Sequence, residues 1–192
     1  MRINISFLLL LTKRLQHPAY QKILIVLSIL LGLSASTFSF FHGYIVSYGD
    51  AESHLNIAKR VVSSITPGMA QLGGIWPPLP HLLMVPFVAF DALWRTGIAG
   101  SIVSGICFLV TVIYLYKFTF QVTKNQLASF IASLVFMLNP NILYMQSTPM
   151  TELPLIAFFM LSSYYFMRYL QNTKEFLSLI FAAFFAFCAS AA

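Results

Sequence analysis

The sequence predicts an all-α membrane protein, a polytopic helical bundle of about five transmembrane helices with an outer juxtamembrane helical loop between spans 1 and 2. Three observations lead there. Of the 192 residues, 59% are hydrophobic and only 8% are charged, against roughly a quarter charged in an ordinary globular domain, and mean hydropathy is +0.83. The apolar residues fall in runs that approach the ~20 needed to cross a hydrocarbon core. The one long polar interval, Tyr48 to His81, gathers Asp50, Glu52, His54, Lys59, Arg60 and His81 between apolar segments. A membrane protein keeps that many titratable groups together mainly where a water-filled site or a surface needs them.

The formal net charge of +6 does not point to nucleic acid. The basic residues stand at the ends of apolar runs instead of forming one patch, which is the pattern that encodes topology. Cys107 and Cys188 lie inside apolar runs and have no zinc or redox spacing, so a disulfide is not expected.

The first 22 residues carry Arg2, Lys13, Arg14 and Lys22 around an apolar run too short to span, which fits an interfacial helix. Ile23 to about Phe41 is uncharged and long enough for span 1. A rival reading makes Ile23 to Leu33 the core of a signal peptide cleaved near Leu33 to Ser36. The uncleaved span is preferred because apolar residues continue past Ser36.

From Asp50 to Ile65 the apolar positions Ala51, Leu55, Ala58, Val62 and Ile65 recur at helical spacing and predict an amphipathic surface helix. Pro67 and Gly68 end it, and Gly73, Gly74, Pro77, Pro78 and Pro80 predict a rigid, turn-rich loop. Leu79 to Phe90 is apolar but short and contains Pro80 and Pro86, so it is expected to be juxtamembrane or re-entrant and not to cross. Span 2 is Gly97 to Tyr116, where Gly97, Ser101 and Gly105 make a small-residue ridge for close helix approach. Span 3 is Leu127 to Tyr144. A short loop, MQSTPMTE, precedes span 4, Leu153 to Tyr169, and Phe176 to Ala192 begins span 5.

An N-terminus inside places Arg2, Lys13, Arg14, Lys22, Lys117, Lys124, Arg168 and Lys174 in the cytoplasm and only Lys59, Arg60 and Arg95 outside, the bias expected of a cell-membrane protein with a cytoplasmic N-terminus. Asp50, Glu52, Asp91 and Glu152 then share the outer side. The chain stops at CASAA within an apolar segment, which suggests that residues 1–192 are the first part of a longer transmembrane domain whose outer loop is 42–96.

Asp50 is the first candidate for chemistry, since it stands where span 1 meets the outer side. Its bland role is an N-cap, worth about 1 kcal/mol, and the two roles are compatible. Glu152, at the entry to span 4, would favour the helix dipole if it did nothing else. Two carboxylates on one face can also bind a divalent cation or divide base and orienting roles. His54 follows Asp50 by one helical turn and His81 follows the Trp-Pro-Pro-Leu-Pro turn. Either is a phosphate or sugar contact or merely a solvated interfacial histidine, and the two lack a zinc spacing. Lys59 and Arg60 suit lipid headgroups or a lipid-linked phosphate equally. Trp76 and Trp94 fit the interfacial aromatic belt, and Trp76 among prolines could also stack on a sugar. No Gly-rich phosphate loop, GxSxG, HExxH or cysteine ligand cluster is present.

The order of these features resembles that of the family 39 membrane glycosyltransferases of the GT-C fold, which include protein O-mannosyltransferases and aminoarabinose transferases. The residues that carry the likeness are Asp50-Ala51-Glu52-Ser53-His54, Ile57-Ala58-Lys59-Arg60, Trp76-Pro77-Pro78-Leu79 and, two spans later, Thr151-Glu152. The family pattern often has an acid directly after the first Asp, where this chain has Ala51, with Glu52 displaced by one. The resemblance implies sugar transfer, with inversion, from a polyprenyl-phosphate donor to a protein, lipid or glycan acceptor on the outer face. Asp50 would then be the base and Glu152 would orient substrate or share a metal. Glu52, His54, Lys59, Arg60, Trp76 and His81 would contact substrate. A transporter or lipid-carrier subunit, or a non-catalytic assembly subunit, is the alternative, although transporters tend to carry their ionisable groups near the midplane.

Overall fold

A computed structural model describes residues 20–72 and 74–192, and the described residues are helical with irregular connections. The helices are α1 (Tyr20–Phe41), α2 (Gly49–Ser63), α3 (Leu79–Val88), α4 (Asp91–Arg95), α5 (Ile98–Thr123), α6 (Gln126–Met137), α7 (Pro140–Met145), α8 (Glu152–Gln171) and α9 (Phe176–Ser190), with a 3₁₀ turn at Met69–Leu72. Three of them, α1, α5 and α8, are long and apolar enough to cross a membrane. At 1.5 Å per residue they are roughly 30–39 Å long. The interfacial helix expected before span 1 lies outside the described residues except for Tyr20–Lys22, which form the start of α1 itself.

Side-chain contacts fix the helix directions. The segment after α1 places Ile45 where a side chain on Gly97 would collide with it, just before α5. At the opposite end, Gln21 shares a polar pocket with Tyr116 and Lys117. Thus α1 and α5 are antiparallel, and everything from residue 42 to residue 97 leaves and re-enters the bundle at one end. Leu79–Phe90 turns back within that region, and α3 is only 10 residues long. Helix α8 runs parallel to α5: Ser104 Oγ donates to Met150 O (3.3 Å) beside its start, and Gln171 Nε2 donates to Gln121 O (2.9 Å) at its finish. Helix α9 returns along α8, where Ser162 Oγ donates to Ala182 O (2.9 Å), and brings Ala191 O to the backbone N–H of Leu79 (3.0 Å). The core is continuous through Leu24, Leu55, Ala58, Met84, Val88, Ala99, Val103, Phe108 and Leu153. It therefore holds the polar segment to the ends of α5 and α8.

Two findings refine the expectations. Span 3, expected as one helix from Leu127 to Tyr144, is broken into α6 and α7, whereas α1, α5 and α8 are single helices long and apolar enough to cross a membrane. The break falls at Asn139-Pro140. Proline has no N–H to donate to a continuing helix, and Asn139 instead caps a new one, its Oδ1 accepting from Asn141 N at 2.9 Å. Helix α6 thus covers only about 18 Å.

The second concerns MQSTPMTE, which forms the expected short loop but does not lie in solvent. Gln146, Ser147 and Thr148 are buried, laid against the small-residue ridge that was expected to receive a helix. Gln146 Nε2 donates to Gly32 O (3.0 Å) and Ser36 Oγ (3.3 Å) partway along α1, and Ser104 Oγ donates to Thr148 O (2.8 Å). Ser101 Oγ donates likewise to Ser147 O. Irregular backbone survives burial only when its polar groups are paired, and the serines of α5 supply those partners. Beside this segment an apolar groove of about 530 Å³ opens between α1 and α5, lined by residues that include Leu33, Phe40, Phe41, Ile98, Ile102 and Ile106.

Candidate active site

Helix α2 forms the floor of the site. Its buried residues are Ala51, His54, Leu55, Ile57, Ala58 and Val61, so the expected stripe is shifted: Val62 is 37% exposed and Ile65 is fully exposed. The cause is a small satellite core in which Ile57, Val61 and Leu72 pack with Trp76, Leu82 and Val85, turning His54 inward with them. The N-cap of α2 is Tyr48 and no side chain caps it. Asp50 is therefore a first-turn residue and not the N-cap, and its exposed carboxylate, like that of Glu52, stands in solvent at the positive end of the helix.

His54 meets His81, the third residue of α3. Both are buried, at 2% and 0% exposure, and His54 Nδ1 lies 2.8 Å from His81 Nε2. Trp76 stands with its ring edge-on to His54, centroids 5.0 Å apart. Burial pushes the His54 imidazole below its ordinary range, and the negative charges of Asp50 and Glu152 both oppose that push. Two carboxylates far apart in sequence thus act on one imidazole. His81 is lowered further, to about 4, by burial and then by His54, with Arg60 adding to the effect and the Pro77 carbonyl resisting it. That carbonyl does not meet hydrogen-bond geometry, and Nδ1 of His81 is left buried without a partner, as is Oε2 of Glu152.

Lys59 and Arg60 do not act as a pair. Lys59 Nζ donates to Val88 O (3.0 Å) at the end of α3 and to Asp91 Oδ1 (2.6 Å), and it lies over the Trp94 ring. Trp94 in turn donates from Nε1 to Asn56 Oδ1 (3.2 Å). Lys59 is thereby committed to tying α2 to α3 and α4, while the neighbouring Arg60 is exposed and close enough to His81 to bear on it. Among the described residues no group of three or more His, Cys, Asp or Glu side chains is placed to hold a metal ion. A cation between Asp50 and Glu152 would have to complete its shell with water or substrate oxygens, as Mg²⁺ commonly does.

The convergence of Asp50 and Glu152 at one end of the bundle follows from their sequence positions at the ends of apolar runs. The His54–His81 contact does not, because nothing in the spacing of two residues on separate helices announces it. Comparison with protein-family models, with curated proteins and with solved structures finds no match.

Two buried neutral imidazoles make the site acid-sensitive. Their proton affinities are lower in the folded chain than in the unfolded one, so stability from this source is complete above the ordinary 6.5 and is lost as pH falls toward about 4. Thermal unfolding in detergent, followed from pH 7 to pH 4, should shift steadily to lower temperature. The double variant His54→Leu/His81→Leu should show a shallower shift, and an equal slope in both proteins would dissociate the acid effect from this pair.

Proposed function

We infer that the protein is a membrane glycosyltransferase that moves a sugar from a polyprenyl-phosphate donor to an acceptor hydroxyl at the outer membrane face, with inversion at the anomeric carbon. The observation that supports this best is that Asp50, in the first turn of α2, and Glu152, at the start of α8, lie at the end of the bundle that carries the polar segment, where both charges bear on His54. Asp50, exposed and without a capping bond, takes the acceptor proton. Glu152 orients substrate or shares a cation with it, Trp76 offers a ring for the sugar, and Arg60 meets the departing phosphate. The apolar groove between α1 and α5 extends to the same end, where Phe41, Ile45 and Ile98 line it, and suits a prenyl chain.

The broken α6–α7 segment is the one feature that favours a transporter, since discontinuous helices line transporter sites. Its polar side chains are uncharged, however, and the Gln146 amide donates within the chain to Gly32, Ser36 and Ser147. That closes the segment as a structural joint and leaves the transferase as the better reading.

Purified protein should consume a labelled polyprenyl-phosphate sugar when supplied with cell-envelope acceptors. The orientation is checked separately by single cysteines at positions 50, 152 and 124. An impermeant thiol reagent applied to intact cells should label the first two and spare the third. Labelling at 124 with none at 50 would invert the topology and remove the mechanism with it.

A further inference from the structure

We propose that His54 and His81 form one proton-holding unit behind Asp50, which takes up the proton that Asp50 removes from the acceptor hydroxyl and keeps it on His54 until products leave. The proposal rests on the transferase reading for the origin of that proton, and on the structure for the unit that receives it.

A hydrogen bond between two imidazoles needs one donor and one acceptor nitrogen. A pair at 2.8 Å can therefore be wholly neutral or carry one added proton without losing its contact, but it cannot accept a second proton and keep it. In the proposed tautomer His81 carries its proton on Nδ1, the nitrogen left without a hydrogen-bond partner. His81 Nε2 is then the acceptor, His54 Nδ1–H is the donor, and the only lone pair left on the pair is His54 Nε2.

The surrounding charges favour an added proton on the His54 ring over the His81 ring. Asp50 from α2 and Glu152 from α8 are the charged groups bearing on His54. Arg60 from α2 bears on His81, and α3 brings no charged group. Trp76 is uncharged. Negative charge thus flanks one ring and positive charge the other. Glu152 Oε2, buried with no donor of its own, is the kind of acceptor that a neighbouring imidazolium stabilises. If the pair only tied α2 to α3, apolar side chains would serve without the cost of an orphaned ring nitrogen.

The step balances as follows. The acceptor O–H bond breaks and its proton goes to the Asp50 carboxylate. The oxygen lone pair forms the new bond to the anomeric carbon while the carbon–oxygen bond to phosphate breaks and its electrons leave on the phosphate. The proton on Asp50 then passes to His54 Nε2, which restores the carboxylate, and it is released to water with the products. His54 and His81 do not touch the substrate in this scheme. They are relay and positioning residues.

The test is ¹⁵N NMR of the histidine-labelled protein in detergent micelles with no donor present, with His54 assigned from its loss in His54→Gln. At neutral pH His54 should be the Nδ1–H tautomer, and on acidification it should take a proton before His81 does. Asp50→Asn and Glu152→Gln should each lower its midpoint by about one pH unit, the scale of removing one nearby opposite charge. His81→Gln, whose amide oxygen still accepts from Nδ1–H, should preserve the tautomer, and His81→Leu should release it. In turnover, His81→Leu should lower kcat with KM unchanged and move the acid limb of the pH profile, and His81→Gln should restore most of it. An Nε2–H tautomer at neutral pH, or a midpoint indifferent to both carboxylate variants, overturns the proposal. Should the native protein give the expected spectra yet transfer no sugar, the transferase reading falls and the proton-holding pair stands.

Discussion

Asp50→Asn is expected to lower sugar transfer by roughly 10²- to 10⁴-fold, the range typical of losing a general base, while the protein accumulates in the membrane at the native level. The asparagine keeps the size of the side chain and removes only its charge. Folding should tolerate this because the carboxylate caps no helix: the N-cap is Tyr48, with no side-chain bond. What is lost structurally is a first-turn charge facing the helix dipole, worth about 0.3–1 kcal/mol, too little to empty the membrane of protein. Consumption of labelled lipid-linked sugar, normalised to expression, is the measurement. Near-native turnover would take Asp50 out of the chemistry and leave Glu152 as the residue to test.

The largest structural effect should come from Gly100→Ala. A methyl group there would sit inside the van der Waals radii of Pro149, against both its ring and its backbone Cα. The obstacle is main chain in a buried segment and cannot swing aside. Overpacking of this kind costs about 1–3 kcal/mol, a shift of several degrees in Tm for a chain of this size. It would also push Thr151 and Glu152, two and three residues beyond Pro149, out of place. Gly105→Ala provides the contrast. Its new methyl would find only Gln146 Oε1 at 3.5 Å, an ordinary contact with the end of a flexible side chain, and the helix gains up to about 1 kcal/mol in propensity. Equal melting of the two variants in detergent would show that the Pro149 packing does not hold the site.

The helices were legible in the sequence wherever one physical rule governed a whole segment. Apolar runs became α1, α5 and α8, and the spacing from Ala51 to Ala58 became α2 with nearly the expected bounds. The failures mark places where a local feature competed with a pattern. Pro140 overrode an apolar run that hydropathy alone reads as one span. The polar string from Gln146 to Thr148 reads as a short loop, but its burial was not legible because sequence pattern cannot show that Ser101 and Ser104, dozens of residues earlier, hold the hydroxyls that pair its carbonyls. In the site, charge and helical spacing picked out Asp50, Glu152 and His54, whereas the commitment of Lys59 to Val88 and Asp91 depends on how α3 folds back over α2. Such a return is set by the satellite core around Leu72 and Trp76 and has no periodicity of its own.

The hydrogen bond from Gln146 to the carbonyl of Gly32 closes a separation of 114 residues. During synthesis, at roughly 5–20 residues per second, α1 is made on the order of ten seconds before the residue that completes its contacts. Its small-residue middle must wait, flanked by lipid or by translocation machinery, while α5 arrives and then the broken segment. Only after that segment has docked can the chain emerge in the right place to start α8 and bring Glu152 toward His54. Assembly of the site is therefore a late event in the life of the nascent chain. A substitution at Gly32 or Gln146 would be felt first as a delay in maturation, visible as prolonged protease sensitivity in a pulse-chase, before it registered in the finished protein.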